Sequence, residues 1–447
     1  MAIIEREVLH SPIRYLDLKN LHDWAIPPGT LNVAVLGDRA MVRGTITEHQ
    51  EVEDVVEWFG GDGLIAGRIE SVRSAAERLR QMRSSESLLN AIDPVDLLNR
   101  LASFQPPNNW DQLQFQVDAE HEEAWAKVAV STELHNLAIY GYKLYDAFFP
   151  KEQSRLRGWL DSLRPGHRLN VSWLRVSGAA WLAHVPWGLM YRAIPPQLGS
   201  PVEPLDFLGL RFRIDYSSRS QAGTKGLGRV EDTYHAHLMY WGDDEPTGGE
   251  ALWQRALWKN WGKEISLPGL PTQTDPKNEL VKLLDCPPVS PLTLLYLFCK
   301  CTVGNGNEPI LTFANTKDTS ALIRQTELGL SDLVDRPLVF ANACTTAAAD
   351  PDRTNELAAN FFDRGCRAFL GTETKVPILL ASRFAAIFFH FFFRRIDPNP
   401  IAAGEAVAQT RLFLWTQYRN IGGLFYTYVN RYELFMASDD EVAALRS

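Results

Sequence analysis

The sequence is short of cysteine, has no long basic block, and holds no apolar run long enough to cross a bilayer. Each shortage removes a class of protein. Five cysteines, Cys286, Cys299, Cys301, Cys344 and Cys366, are scattered through 447 residues. An odd count without a secretion signal fits reduced thiols rather than a disulfide framework. The chain opens MAIIEREVLHSPIRYLDL, with no basic segment leading into an apolar core, so no signal peptide is read there. The longest strongly apolar run is Phe384–Phe393, interrupted by His390. A membrane span needs about 20 residues. The expected location is the cytoplasm. Formal net charge is -9, which argues against direct nucleic-acid binding.

Metal and cofactor signatures are equally scarce. Cys299 and Cys301 are too close for a Cys-x-x-Cys motif. His235 and His237 alternate onto one face of an expected strand, but no third ligand accompanies them. The loop Gly304-Asn305-Gly306-Asn307 opens no helix with Gly-Lys-Ser/Thr, so it is no phosphate loop. No metal and no cofactor are expected.

What the sequence does have is alternation of β-type runs with amphipathic helices, which points to a largely parallel α/β sandwich. Residues 1–130 read as an accessory α+β region for packing or docking. It has strand candidates at Leu31–Leu36 and Val42–Thr47. A helix over Ile69–Met82 puts Ile69, Val72, Ala76 and Leu79 on one face, and another is capped by Asp93-Pro94. Glu120–Tyr145 reads as one helix. Residues 131–447 read as the main domain. The Phe-rich helix Pro377–Phe393 is expected to pack on the sheet, with any exposed phenylalanine marking a partner surface.

Two strand candidates carry the chemistry. Leu338–Ala341 runs into Asn342-Ala343-Cys344-Thr345, and Leu292–Phe298 runs into Cys299-Lys300-Cys301. Side chains just past the carboxyl ends of parallel strands face a common crevice. Cys344 and Lys300 should therefore stand together at the ends of adjacent parallel strands. His184, beside Pro186-Trp187, reads as a core or turn histidine.

From about Thr132 to Ala437 the order of segments resembles the CHAT family of caspase-like cysteine peptidases. The resemblance rests on ELHNLAIYGYKLYDAFFP, AHVPWGLMY, LTLLYLFCKC, LVFANACTTAA, NELAANFFDRGCRAFLGTETKVP and LFYTYVNRYELFM. It implies a caspase-like three-layer sandwich with a mostly parallel central sheet. It also implies a thiol nucleophile at Cys344 and an oxyanion region around Cys301, Asn342 and Thr345. Three positions depart from the family pattern. Lys300 stands where the family has its histidine, Cys301 where it has a glycine, and Gly188 where it has an acid.

The first departure bears on catalysis. Histidine, with an ordinary pKa near 6.5, both takes and returns a proton at neutral pH. An ordinary lysine ammonium, near 10.4, keeps its proton there, and losing general acid help costs about 10²–10⁴-fold. Its charge still favours a nearby thiolate. The expectation is an impaired, pseudo-protease scaffold or regulator that works with protein partners in a bacterial defence or programmed response. It binds a protein partner or substrate, as a homo- or hetero-oligomer or singly. The alternative is an active cysteine endopeptidase using Cys344 and switched on by a partner.

Overall fold

A computed structural model describes residues 30–36, 39–47, 50–57, 61–82, 92–104, 117–151, 154–162, 172–178, 185–217, 227–230, 236–240, 247–261, 281, 294–303, 309–312, 322–324, 327–328, 337–344, 346, 357–393, 395–396, 399–430 and 433–436. Its centre is a ten-stranded sheet. In chain order the strands are β1 (Thr30–Leu36), β2 (Arg39–Thr47), β3 (Gln50–Glu57), β4 (Ser172–Gly178), β5 (Phe212–Ser217) and β6 (Ala236–Tyr240). They continue with β7 (Leu294–Phe298), β8 (Lys300–Val303), β9 (Pro309–Thr312), β10 (Leu322–Arg324), β11 (Leu338–Asn342), β12 (Ala368–Thr372) and β13 (Tyr426–Asn430). The large sheet runs β3-β2-β1-β4-β5-β13-β12-β11-β7-β6, and β8, β9 and β10 form a small antiparallel sheet beside it. The pairs β6–β7, β7–β11, β11–β12, β1–β4, β4–β5 and β5–β13 are parallel. The β12–β13 pair and the amino-terminal meander β1-β2-β3 are antiparallel. This is the mixed α/β fold with a mostly parallel central sheet that the alternation of segments implies.

Buried parallel strands need apolar residues on both faces. β7 (LLYLF), β11 (LVFAN) and β12 (AFLGT) meet that need, with every residue buried. Helices cover them. They are α1 (Gly61–Arg80), α2 (Pro94–Ser103), α3 (Ala119–Ala129), α4 (Thr132–Phe148), α5 (Thr247–Trp261), α6 (Leu357–Asp363), α7 (Ile378–Phe393) and α8 (Ala403–Tyr418).

The Phe-rich helix α7 lies on the sheet. Phe340 of β11 sits among Phe384, Phe388 and Phe389, with ring centroids 6.2, 5.5 and 5.8 Å away. Phe391 points off that face and meets Phe104 and Phe413. The phenylalanines from 384 to 392 are buried, and half-buried Phe393 stacks on Phe389 at 5.4 Å. Exposed phenylalanines do not supply a partner surface on this helix.

Local signals explain the helix ends. Asp93 accepts from Val95 N and Asp96 N at 2.8 and 3.0 Å, with Pro94 in the first turn. The single helix expected over Glu120–Tyr145 is two. Ser131 interrupts it, because its hydroxyl accepts from Leu134 N at 3.2 Å and starts α4 afresh. Gly365 follows α6 with φ of 99°, a left-handed backbone that glycine adopts without penalty. Gly141 lets α4 approach Tyr191 closely, since a Cβ there would lie 2.4 Å from Leu189 O.

The amino-terminal region is joined to the rest through sheet and core. β1 extends the sheet by pairing with β4, and α1 packs on α4. Ile65, Ile69, Val72, Ala76 and Leu79 of α1 are buried in the same core as α4 and α7. The boundary expected near residue 130 therefore crosses shared sheet and shared core. Among the described residues, no helix is long and apolar enough to cross a membrane.

Candidate active site

The site is built where β7, β11 and β12 end. β7 and β11 pair in parallel with Phe298 opposite Asn342, so Lys300 and Cys344 each stand two residues past that matched pair. The chain does not run straight through Cys299. β7 stops at Phe298, Cys299 makes a bend, and β8 begins at Lys300 in the small sheet. Lys300 is half-buried, while Cys299 and Cys301 are buried.

The turn carrying Cys344 is pinned from below. Thr346 Oγ1 donates to Ala341 O at 2.8 Å and accepts from Thr372 N at 3.1 Å, and Thr372 Oγ1 donates to Ala343 O at 2.6 Å. These bonds tie the end of β11 to the end of β12. Cys344 itself is half-buried, and its Sγ lies 4.0 Å from Val376 O in the segment that follows β12.

Asn342 is buried and its amide is fully used. Nδ2 donates to Tyr296 OH and to Ala381 O, each at 2.8 Å, and Oδ1 accepts from Tyr426 OH at 2.9 Å. Tyr296 OH in turn donates to Gln254 Oε1 of α5 at 2.7 Å. A side chain expected near an oxyanion is thus the hub that fixes β7, β11, β13, α5 and α7 to one another. Thr345, His184 and His235 lie outside the described residues.

Burial opposes ionisation of the thiols at this site. Burial pushes the Cys344 thiol above its ordinary range. The Val376 backbone and the charges of Arg80 and Lys375 pull the other way, and Glu77 offsets them in part. Burial and the neighbouring Cys344 push Cys301 up to about 12, and burial raises Cys299 well above its ordinary value. The histidines with described side chains are engaged elsewhere. His121 meets Asp118, His135 lies between the carbonyls of Ser131 and Gln197, and His390 packs on Phe391.

Sequence reasoning missed the groups from α1. Buried Arg73 donates through Nε and Nη2 to Oε2 of Glu373 at 3.1 and 2.9 Å, and Thr427 Oγ1 donates to Oε1 at 2.5 Å. One turn on, Glu77 accepts from Thr374 Oγ1 at 3.0 Å and pairs with Arg80 at 2.7 Å. Burial works against the Glu77 carboxylate, but hydrogen bonds from Arg80, Gln81 and Thr374 outweigh it and hold its pKa below the ordinary range. The segment that touches Cys344 is therefore clamped by α1. The signal for it was the apolar face of α1, whose burial obliges the flanking Glu77 and Arg80 to lie at its margin.

Gly188 lies in a tight turn at Trp187–Leu189. A Cβ there would come 3.6 Å from Gly209 Cα and 3.7 Å from Arg411 Nη2. The buried Arg411 guanidinium donates to the carbonyls of Gly209, Gly423 and Tyr426 at 3.3, 3.3 and 2.5 Å. Burial lowers its pKa to about 10.

No protein-family model matches the chain. A stretch of 138 residues is 32% identical to a "Probable protease" of Vitiosangium sp., and it takes up 30% of this chain and 17% of that protein. Among solved structures, the Saccharomyces cerevisiae separase–securin complex matches 92% of this chain at a TM-score of 0.46 and 10% identity. This chain covers 30% of the matched chain in that complex. The complex of the pro- and mature domains of Porphyromonas gingivalis RgpB matches 63% of this chain, covering 70% of its own, at a TM-score of 0.35 and 10% identity. The likeness to a protease is thus partial in sequence, and the chain spans only a fraction of the first proteins it matches. Among the described residues no group of three or more His, Cys, Asp or Glu is arranged to hold a metal ion.

Proposed function

We propose that this chain is a caspase-like protein of CHAT type whose Cys344 crevice binds a polypeptide and turns it over poorly. In this reading it is a pseudo-protease scaffold or regulator acting with protein partners in a bacterial defence or programmed response. Residues 131–447 form the caspase-like domain, and residues 1–130 are an accessory region whose helix α1 reaches the crevice.

One observation carries the reading. Cys344 lies two residues past the end of β11, Lys300 lies two residues past the end of the paired strand β7 where the chain turns into the small sheet, and burial raises the Cys344 thiol above its ordinary range. A cysteine peptidase needs a thiolate for attack and a proton donor for the leaving amine. Lys300 offers no imidazole to take that proton and return it. The partial likeness to a probable protease fits a peptide-binding crevice.

The second reading, a peptidase switched on by a partner, is favoured by Arg80 and Lys375, whose charges already act on Cys344. The test is hydrolysis of a peptide library by the wild type, Lys300→His, and Lys300→His with Cys301→Gly, using Cys344→Ala as blank. Negligible wild-type turnover that rises in the double variant is the expected result. Strong Cys344-dependent cleavage by the wild type would overturn the pseudo-protease reading.

A further inference from the structure

A small, partly open pocket begins one residue beyond the carbonyl that meets Cys344 Sγ. Val376 O touches the sulfur, and Pro377 is already part of the pocket wall. The other walls include Leu79 and Arg80 of α1, Trp125 and Val128 of α3, and Leu380 of α7. The pocket lies at the same sheet edge as the thiol. Pro377 and Leu380 follow the carboxyl end of β12. The stretch from Ile421 to Phe425 leads into the amino end of β13, which is antiparallel to β12 with Tyr426 opposite Thr372.

Its chemistry is apolar with answered charge. The two guanidinium groups in the wall are both engaged within the chain. Arg80 pairs with Glu77, and Arg419 pairs with Glu122 while lying 4.8 Å over the Trp415 ring. Leu79 and Val128 are buried in the core, and half-buried Trp125 meets Trp415 edge-on at 4.7 Å. An anionic group would find its counter-charges already taken. An apolar side chain would gain the transfer energy of leaving water.

We propose that this pocket is a subsite for an apolar side chain of the polypeptide bound at Cys344, so that helices α1 and α3 of the amino-terminal region select the sequence accepted there. The proposal rests on the reading of the Cys344 crevice as a peptide site and adds what that peptide carries. It gives the amino-terminal region a part in specificity that the strand ends alone do not supply.

The test uses the full chain and peptidyl acyloxymethyl ketones that are identical except for one side chain, Leu, Phe, Gly or Asp, at either of the two positions nearest the electrophile. Cys344 sulfur attacks the methylene carbon, the carboxylate leaves, the thiol proton passes to solvent, and the thioether is counted by intact mass. Leu and Phe reagents should label the wild type about tenfold faster than Gly or Asp reagents. Val128→Phe, which fills the pocket, should abolish that preference. Trp125→Ala, which widens it, should shift preference from Leu toward Phe. Alkylation by iodoacetamide in each variant reports that the thiol and fold are intact, and if Val128→Phe does not fold, Trp125→Ala carries the test. Equal rates for all four reagents, a preference for Asp, or a Leu and Phe preference that neither variant alters would overturn the subsite. If iodoacetamide labels Cys344 and no peptidyl reagent does, the peptide-site reading itself falls.

Discussion

Cys344 pairs a reactive element with an environment that keeps it quiet. Burial disfavours the thiolate more than Arg80 and Lys375 favour it. Alkylation by iodoacetamide should therefore be slow at neutral pH and still climbing above pH 9.0, the ordinary thiol value. Arg80→Gln removes a positive charge that favours the thiolate, so the midpoint of the rate–pH curve should move to higher pH. A midpoint that moves down or stays fixed would mean that Arg80 does not act on the sulfur. Asn342 teaches the complementary lesson. Each of its hydrogen bonds is buried, so the cost of losing a partner is the cost of an orphaned polar group. Tyr426→Phe keeps the ring that stacks on Phe384 at 3.5 Å and strips only the hydroxyl that serves Asn342 Oδ1. It should lower unfolding free energy by about 1–3 kcal/mol in urea titration.

At the scale of elements, α1 matters most beyond the strands. It brings Arg73 onto Glu373 and Glu77 onto Thr374, across a sequence gap of 300 residues between Arg73 and Glu373. Glu77 gives this contact a pH signature. Its carboxyl is held below the ordinary 4.5, so its contribution to stability is present above that value and is lost as pH falls through the lower folded value. Glu77→Gln should therefore be less stable than wild type at pH 7, and the two should converge as pH falls below the ordinary carboxylate range. Equal melting temperatures at pH 7 would remove Glu77 from the clamp. The same helix marks how far the sequence could be read. The face Ile69, Val72, Ala76 and Leu79 was legible because helical period reports burial. The clamp at its margin was not, because Glu373 and Thr374 arrive from the segment at the end of β12 and leave no local pattern. α5 shows the limit from the other side. An apolar face through Leu252 fits its sequence, yet Leu252 is 65% exposed and Gln254 is 2% exposed. The Tyr296 hydroxyl supplies Gln254 with a buried partner, and no periodicity contains that information.

For the whole molecule, the strands leading to Cys344 and Lys300, β11 and β7, were the most legible part. They are short and apolar on both faces, as buried central parallel strands must be. The addition of β1, β2 and β3 to the sheet was not legible, since the hairpin pattern in that region says nothing about which strand it joins. The shared core has an energetic consequence. Full burial of a Val, Leu or Ile side chain contributes about 1.5–3 kcal/mol, so the four such side chains on α1 are together worth on the order of 6–12 kcal/mol, as much as a whole domain's stability. A fragment of residues 131–447 should therefore aggregate or bind a dye for exposed apolar surface. A monomeric fragment with cooperative unfolding would show instead that the boundary near residue 130 separates independent folding units.

The order of strands also sets how the molecule meets its own copies. Among the described residues β3 lies at one end of the large sheet, the kind of position that is open to pairing with another chain. Its sequence, QEVEDVVE, carries Glu51, Glu53, Asp54 and Glu57 in eight residues. Two such strands brought edge to edge at neutral pH would set these carboxylates against each other. That repulsion fades as the acids take up protons, so acid solution is where chains of this protein would begin to join, sheet to sheet, into longer ribbons.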